Sequence, residues 1–302
     1  MITVCEPVPV KPANVLRHAR SILPFSENSD GKVVFIIGSA RSGTTWLAES
    51  IVENSAGRYV FEPFSQKATV PLGGPEFDRP YLREYQSYPE IDAFLKKIVE
   101  EPFRNRWTDQ NNNRFYYRAR IIKAVRANMM IGRIARLFPN ACIPFVIREP
   151  FATVRSQCRL KWPSPLETFL SQTELMVDRP ASDHHRLKAA SNMFERSVVR
   201  WCLENRIALE QVSSVGADNV RVFKYEDLRD DIEKFKDFQQ FCGVADYAKC
   251  AHGKPSRVSQ GKQNFDTRKL DEDFSPNQVV FFKETLQHFG FSEYVDGYAG
   301  QG

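Results

Sequence analysis

The chain has 302 residues, of which 42% are hydrophobic and 26% charged, and it carries a net charge of +5. These proportions are ordinary for a folded protein and exclude extensive disorder, and the length suits one large α/β domain or two small ones, of which we expect one. The positive charge favours an anionic ligand, although the lysines and arginines are scattered rather than gathered in one tail, and a nucleotide or an acidic sugar fits as well as nucleic acid does.

The cysteine pattern and the hydropathy indicate a reducing compartment. Six cysteines occur without a CxxC pair, several of them in apolar or helical patterns, so we expect reduced core thiols rather than disulfides or metal ligands. No stretch reaches the roughly 18 apolar residues of a membrane span, and the proline-rich start MITVCEPVPV lacks the apolar core of a signal peptide. We therefore predict a cytoplasmic protein without an integral membrane segment.

The predicted elements alternate along the chain. Residues 1–31, punctuated by proline, serine and asparagine, predict an N-terminal arm ahead of a domain over residues 32–302. Strands are predicted at 33–37, 58–61, 119–125, 145–147 and 220–223. Helices are predicted at 43–54, 90–101, 127–138, 150–160, 191–212, 227–242 and 276–289. This alternation indicates a single α/β domain with a central parallel sheet of about five strands and helices on both faces.

The first strand runs into a loop rich in glycine and hydroxyl groups, VVFIIGSARSGTTWL. Gly38, Gly43 and Thr45 have the spacing of the phosphate-binding loop of nucleoside triphosphatases, but Thr44 stands where that loop has its lysine. Because a predicted helix starts here, its free N–H groups favour an anion such as phosphate or sulfate.

The side chains of this loop strengthen the prediction of an anion site. Ser42, Thr44 and Thr45 supply hydroxyl donors, and Arg41 supplies a planar cation. A simpler alternative is that the turn only caps the helix, but the strand, the glycine spacing, the arginine and the hydroxyls together favour an anion. The strand at 145–147 ends in Arg148 rather than in an aspartate for magnesium, so we expect an anion without an obligatory metal.

Two later stretches offer further ligands for a nucleotide. In REPFATVRS, Arg148 follows a strand and Ser156 lies two turns into the next helix, so the pair can hold one phosphate. In KYEDL, Tyr225 is either a platform for a nucleobase or a packed aromatic residue. Glu226 and Asp227 are most simply explained as acidic residues that stabilise the start of a helix.

RSGTTWL, REPFATVRS and KYEDL, in this order, resemble the nucleotide-binding core of the sulfotransferases that use 3′-phosphoadenosine 5′-phosphosulfate (PAPS). The resemblance spans about residues 33–228 and implies a P-loop-like sulfotransferase fold, with PAPS as the sulfuryl donor and no metal. It implies that residues 41–45 hold the 5′-phosphosulfate, that Arg148 and Ser156 bind the 3′-phosphate, and that Tyr225 lies near the adenine. Arg41 replaces the lysine usual in cytosolic members, as in Golgi carbohydrate and many bacterial members.

The same family closes its nucleotide site with a basic loop near the C-terminus. HGKPSRVSQGKQ lies in that region, although it departs from the RKGxxGDWK pattern of cytosolic members. The resemblance therefore implies that Ser256, Arg257 and Lys262 are nucleotide ligands.

Sulfuryl transfer requires a base for the proton of the acceptor hydroxyl and positive charge for the departing phosphate oxygen. Cytosolic members use the histidine of a KTH motif; here IIKAVR has Lys123 at the lysine but Val125 at the histidine. Similarity to carbohydrate and bacterial members implies instead that Glu62 of GRYVFEPF is the base, the alternative being a solvated charge at a strand end. Arg41 and Lys123 would share the charge of the leaving group, and Arg126 would face the same crevice.

The acceptor and the rival functions rest on broader features. Loops predicted at 64–88, 104–117 and 159–190 carry aromatic, arginine and asparagine residues that suit a hydroxylated acceptor, and the family subtype favours a carbohydrate or a glycolipid. A magnesium-dependent P-loop kinase and a non-catalytic nucleotide- or glycan-binding module of the same fold stay open as alternatives. The DHH sequence at 183–185 is interpreted as a solvated polar loop rather than a metal site, and no RNA-binding motif points to nucleic acid.

Overall fold

The computed structural model describes residues 26–69, 78–101, 103–243 and 274–296. Its strands are β1, Ser26–Gly38; β2, Gly57–Phe61; β3, Tyr116–Ala124; β4, Ile143–Ile147; and β5, Val220–Lys224. Within the described ranges these five strands form one sheet in the order β2-β3-β1-β4-β5, and every neighbouring pair is parallel. The predicted α/β domain with a central parallel sheet of about five strands is confirmed.

Helices connect and cover the strands. In chain order they are α1, Thr44–Ser55; α2, Gln66–Thr69; α3, Pro89–Glu100; α4, Ile131–Leu137; α5, Pro150–Arg159; α6, Glu167–Leu170; α7, Thr173–Asp178; α8, Ala181–Ala189; α9, Met193–Val215; α10, Tyr225–Asp230; α11, Ile232–Phe241; α12, Pro276–His288; and α13, Ser292–Asp296. None of those described has the length and apolar character needed to cross a bilayer.

Several stretches differ from the predicted elements, among them the predicted loop 64–88, which contains α2, and the predicted helix 127–138, in which α4 begins only at Ile131. β1 begins at Ser26 because its first residues pair with the start of β3. The segment 159–190, predicted as a loop, contains α6, α7 and α8. The helix predicted at 227–242 is divided at Asp231, whose side chain accepts hydrogen bonds from the N–H groups of Glu233 and Lys234 and so starts a new helix.

The sheet is buried between helices on both faces, as predicted. Side chains alternate along a strand, so Phe35 and Ile37 of β1 enter a cluster that includes α5, α9 and α12. Val34 and Ile36 enter the opposite cluster, with α1 and α11. Central strands buried on both faces explain the continuous apolar runs in the sequence.

The parallel arrangement brings the ends of four strands together. β1 pairs with both β3 and β4, and β2 pairs with β3 on its other side. In this register Lys123 of β3 lies opposite Phe61, and Val146 of β4 lies opposite Gly38. The residues that follow β1, β2 and β4 therefore meet at the carboxyl edge of the sheet, where α/β proteins bind ligands.

Candidate active site

The loop after β1 makes two left-handed turns before α1 begins. Arg41 has a φ of 75° and Gly43 a φ of 86°. Gly43 is the N-cap residue of α1, no side chain caps this end of the helix, and its first turn has no acidic residue. The hydroxyls of the turn therefore do not cap the helix, and the helix dipole is left without a negative partner.

Two polar atoms at this loop are buried and have no hydrogen-bond partner among the described residues: Ser42 Oγ and Arg148 Nε. Leaving such an atom unsatisfied costs about 1–3 kcal/mol. Arg148 is charged, and its Nε lies 4.0 Å from Glu226 Oε1, beyond hydrogen-bond distance, so this donor suits an anionic acceptor. The loop thus has the properties of an anion site that an incoming ligand would complete.

Arg41, Arg148 and Ser156 meet beside the loop. Arg41 Nε donates to Ser156 Oγ at 3.0 Å, and Arg148 Nη1 donates to the carbonyl of Arg41 at 2.8 Å. Burial and the neighbouring charge of Arg148 lower the pKa of Arg41. Two cations held close together in a half-buried site would be stabilised by an anion between them.

Tyr225 begins α10 and packs directly on the loop. A Cβ added at Gly43 would lie 2.2 Å from the Tyr225 ring, so only glycine permits this contact. Trp46 meets the ring edge-on at 5.9 Å between centroids, and the Arg148 guanidinium lies 4.7 Å from its centre. Tyr225 is therefore a packed aromatic residue that joins the loop to Arg148; its contact with an adenine stays a prediction.

Two carboxylates, those of Glu149 and Glu226, lie close to Arg148, and no sequence motif indicates that these residues are in contact. Glu149 caps α5 by accepting from Phe151 N at 2.7 Å and Ala152 N at 2.6 Å. Glu226, predicted to stabilise its own helix, lies in the first turn of α10, and its carboxylate also accepts from Glu149 N at 3.3 Å. Burial raises the pKa of Glu149 to about 7. The two hydrogen bonds from Phe151 and Ala152 act in the opposite direction, and the negative charge of Glu226 raises the pKa further.

Glu62 follows β2 and is held by neighbours on several sides. Its Oε1 lies 2.6 Å from Lys123 Nζ, its Oε2 accepts from Val125 N at 3.2 Å, and Arg126 Nη1 lies 3.6 Å away. Its backbone has a φ of 46°, and its carbonyl accepts from Trp107 Nε1 at 3.3 Å. With 4% of its surface exposed, Glu62 is not the solvated strand-end charge of the simpler interpretation.

A ladder of alternating charges continues from Glu62 towards the loop. Arg126 Nε lies 2.8 Å from Asp78 Oδ1, and Arg79 lies 2.6 Å from Asp78 Oδ2. Arg79 Nε lies 2.7 Å from Glu204 Oε1 of α9. Arg126 is therefore a direct neighbour of Glu62, whereas Asp78, Arg79 and Glu204 belong to no local motif and were missed.

The ladder ends at Ser39, next to the loop that follows β1. Ser39 Oγ donates to Glu204 Oε2 at 3.3 Å and accepts from the amides of Asn128 and Asn205, at 3.1 and 3.2 Å. Ser39 follows Gly38 at the end of β1. A continuous set of polar contacts thus connects the candidate base with the candidate donor loop.

The remaining predicted site residues have different outcomes. Thr44 and Thr45 lie in the first turn of α1, Thr44 buried and Thr45 half-buried. Ser256, Arg257 and Lys262 lie outside the described residues.

The DHH sequence at 183–185 is not a polar loop. It lies in α8, and Asp183 is buried, with Arg179 Nε and His288 Nε2 each 2.8 Å from its carboxylate. A helix of this kind forms because Leu187 packs into the core on the same face as Asp183. Across the described ranges, no group of three or more His, Cys, Asp and Glu side chains is arranged to hold a metal ion.

Comparison with known proteins identifies relatives of the chain. The profile of the "Sulfotransferase family" matches residues 33–247. A sulfotransferase from Alicyclobacillus acidocaldarius is similar in structure, with a TM-score of 0.42 and 17% identity, covering 87% of this chain and 98% of that one. The sulfotransferase domain of the Synechococcus PCC 7002 olefin synthase has a TM-score of 0.41 and 18% identity, covering 81% and 84%.

The structure of a mouse sulfotransferase complexed with PAP has a comparable similarity, with a TM-score of 0.41 and 14% identity, covering 91% of each chain. No curated protein sequence matches the chain.

Proposed function

Because the chain belongs to the sulfotransferase family, we propose that it transfers a sulfuryl group from PAPS to a hydroxyl of an acceptor, with Glu62 as the general base. The observation that carries this proposal is that the uncapped loop of residues 41–45 lies at the same edge of the sheet as a buried Glu62–Lys123 pair. Arg41 of this loop contacts both Ser156 and Arg148. The family supplies the reaction, and the geometry supports the assignment of roles.

The donor would be bound at two anion positions. The 5′-phosphosulfate would occupy the loop of residues 41–45, at the uncapped start of α1. The 3′-phosphate would lie between Arg148 and Ser156, where Arg148 Nε is buried without a hydrogen-bond partner in the described chain. The adenine would lie near Tyr225. Ser256, Arg257 and Lys262 remain proposed ligands from the resemblance alone.

The transfer itself would be an in-line displacement. A bond forms between the acceptor oxygen and sulfur while the bond between sulfur and the phosphate oxygen breaks, and the acceptor proton passes to Glu62. Lys123 and the anchored Val125 N–H fix the direction of the carboxylate. Lys123 and Arg41 would stabilise the negative charge on the departing phosphate oxygen.

We propose a carbohydrate or a glycolipid as the acceptor. Glu62 has Arg126 beside it, and Asp78 and Arg79 follow as the next charged side chains. Such groups form hydrogen bonds with several hydroxyls at once, which suits a sugar better than an apolar alcohol. A cytoplasmic location stays a prediction.

The alternative of a magnesium-dependent kinase has less support. β4 is followed by Arg148, where a magnesium-binding aspartate would be expected, and Thr44 replaces the lysine that grips a triphosphate. Independence from metal is therefore part of the proposal. A non-catalytic module of the same fold is distinguished from an enzyme only by turnover.

The deciding experiment compares thermal stabilisation by 3′,5′-adenosine bisphosphate (PAP), 5′-AMP, and ATP with magnesium. A ligand at a hundredfold excess over its Kd adds about 2.7 kcal/mol, a readily measured rise in Tm. We expect stabilisation by PAP and little by 5′-AMP, followed by sulfation of a member of a carbohydrate and glycolipid panel with labelled PAPS. Stabilisation by ATP with magnesium alone would overturn the proposal, and PAP binding without any sulfated product would favour the non-catalytic module.

A further inference from the structure

Arg41 adopts a left-handed backbone, with a φ of 75°, although it is not glycine. This conformation is unfavourable for a residue with a Cβ and persists only where its surroundings fix it. The structure must therefore contain contacts that hold the chain at this point. Those contacts lie on α5 and, beyond it, on α9.

Gln157 of α5 provides one of these contacts. Its side chain is 1% exposed, and its Nε2 donates to the carbonyl of Ala40 at 2.7 Å. The next carbonyl, that of Arg41, accepts from Arg148 Nη1 at 2.8 Å. Two consecutive carbonyls of the loop are thus held by two side chains. The Ala40 carbonyl, which precedes the strained residue, is held by Gln157, and the carbonyl of Arg41 itself is held by Arg148.

Arg200 of α9 determines the orientation of Gln157. One guanidinium nitrogen donates to Gln157 Oε1, and another donates to the carbonyl of Pro163 at 2.8 Å. Arginine has donors and no acceptor, so the oxygen end of the Gln157 amide must face Arg200. The nitrogen end is then forced towards Ala40. With Arg200 removed, the amide could reverse and present an oxygen to the Ala40 carbonyl.

The burial of Arg200 is itself informative. Arg200 is almost wholly inside the protein, where burial lowers its pKa to about 10, so it remains charged at neutral pH. A buried charge is costly unless its hydrogen bonds and nearby charges compensate for it. The Gln157 amide is one of the groups that compensate for it, and this amide is also the one that contacts the loop.

We propose that Arg200 and Gln157 are positioning residues for the donor-binding loop: Arg200 orients the Gln157 amide, which fixes the Ala40 carbonyl and with it the backbone of Arg41. Neither residue touches the donor. The inference rests on the proposed function in that it treats residues 41–45 as the binding site of the 5′-phosphosulfate. It extends that function by making the shape of the loop depend on α9.

The sharpest test is Gln157→Glu. The carboxylate retains the contact with Arg200 as an ion pair, so the fold is kept, but it places an oxygen without a hydrogen against the Ala40 carbonyl. We expect the Tm of the free protein to stay within a few degrees, the Kd for PAP to rise at least tenfold, and the amides of residues 39–45 to exchange hydrogen at least tenfold faster. Arg133→Met is the matched control, because Arg133 pairs with Asp92 of α3 and not with the loop.

A second pair of variants tests whether Arg200 acts through Gln157. Arg200→Met should raise the Kd for PAP in the wild-type background, but it should change the Kd less than twofold in the Gln157→Met background. Gln157→Glu keeps the inference testable where Arg200→Met fails to fold. If Arg200→Met raised the Kd for PAP equally in both backgrounds, the proposal that Arg200 acts through Gln157 would be wrong.

The measurements separate this inference from the proposed function. If the wild-type protein does not bind PAP, the proposed function fails, and the exchange of residues 39–45 in the free protein still decides whether Gln157 holds the loop. If the wild-type protein binds PAP and Gln157→Glu binds it equally well, with unchanged exchange, the positioning role is wrong. Faster exchange of the loop in the Arg133→Met control would show a general loss of stability and would also overturn it.

Discussion

Lys123 Nζ lies 2.6 Å from Glu62 Oε1, and both side chains are almost wholly buried. The pair joins the ends of two neighbouring strands, since Lys123 of β3 stands opposite Phe61 in the register with β2. A slip of one residue would turn Lys123 to the other face of the sheet and break the pair. The geometry of the candidate base thus depends on strand register, and it can be tested from both members of the pair.

Glu62→Gln should abolish turnover while leaving the donor site intact. Removing a general base costs roughly 10²–10⁴ in rate, and glutamine keeps the size of the side chain. We expect this loss in the rate of sulfated product formation from PAPS, with the Kd for PAP changed less than threefold. Glu53→Gln, at an exposed position of α1, is the control and should be fully active. Retention of activity by Glu62→Gln would show that another group is the base.

Lys123→Met should lower the free energy of unfolding more in the wild-type background than in the Glu62→Gln background. The single change leaves the Glu62 carboxylate buried, with Arg126 at 3.6 Å as its remaining cation. Loss of one partner of a buried pair costs about 3–5 kcal/mol of unfolding free energy, whereas removing both charges costs much less. Urea unfolding of the two single variants and the double variant measures this coupling. If the loss of unfolding free energy in the double variant equalled the sum of the two single losses, the Lys123–Glu62 pair would not stabilise the fold.

Gly43→Ala should damage the loop far more than Gly216→Ala. Both glycines have a positive φ, 86° and 53°, so both substitutions carry a backbone cost of about 1–2 kcal/mol. At Gly43 the new methyl group would also lie 2.2 Å from the Tyr225 ring, whereas at Gly216 it would meet nothing within 4 Å. We expect loss of PAP binding only for Gly43→Ala, measured by calorimetric titration, and equal PAP affinities would contradict the assignment of the loop.

Ser156→Ala should weaken binding of the bisphosphate selectively. It removes the acceptor of Arg41 Nε and a hydroxyl proposed to contact the 3′-phosphate. A hydrogen bond to a charged group is worth about 1.5–3 kcal/mol, so the affinity for PAP should fall at least tenfold. The affinity for 5′-AMP, which lacks the 3′-phosphate, should change less. Ser50→Ala is the control, since Ser50 Oγ donates only to Leu47 O in its own helix; a similar loss there would refute a specific role.

Stability should decrease as the pH rises from about 5 to about 7 because of Glu149. Burial raises its pKa from 4.5 to about 7 in the folded protein, so over this range the folded state holds a proton that the unfolded chain has released. The unfolding free energy then falls with rising pH, by at most about 3 kcal/mol, and levels off above pH 7. Burial also raises the pKa of the neighbouring Glu226, which contributes to the slope with the same sign. Glu149→Gln should therefore reduce the slope in urea unfolding at pH 5, 6, 7 and 8.

Glu195→Gln is the control for this prediction. Against the effect of burial, hydrogen bonds from Ser191 lower the pKa of Glu195, so its contribution to stability is lost only as the pH falls below its ordinary value. The slope between pH 5 and pH 7 should therefore survive in this variant. An unchanged slope in Glu149→Gln would assign it to another group.

Local features made much of the fold predictable. The central strands are continuous apolar runs, so β3, β4 and β5 lie close to the predicted ranges. The family resemblance, carried by three short motifs, is confirmed by the profile match over residues 33–247. The segment at 159–190 was mispredicted because its helices are short, and the burial of residues such as Phe169 and Leu175 in the core stabilises them more than their own sequence does.

The strand–loop–helix unit with Arg41 and Thr44 follows from the amino-acid sequence alone, because backbone turns and helix starts are encoded by adjacent residues. The surroundings of these groups depend on the folded arrangement of distant segments. The ladder through Asp78 and Glu204, and the contact of Arg200 with Gln157, join residues far apart in the chain that no spacing rule connects. Such contacts arise from the order of strands in the sheet and the packing of α5 and α9, because a buried polar group is stabilised by whichever partner the fold brings within reach.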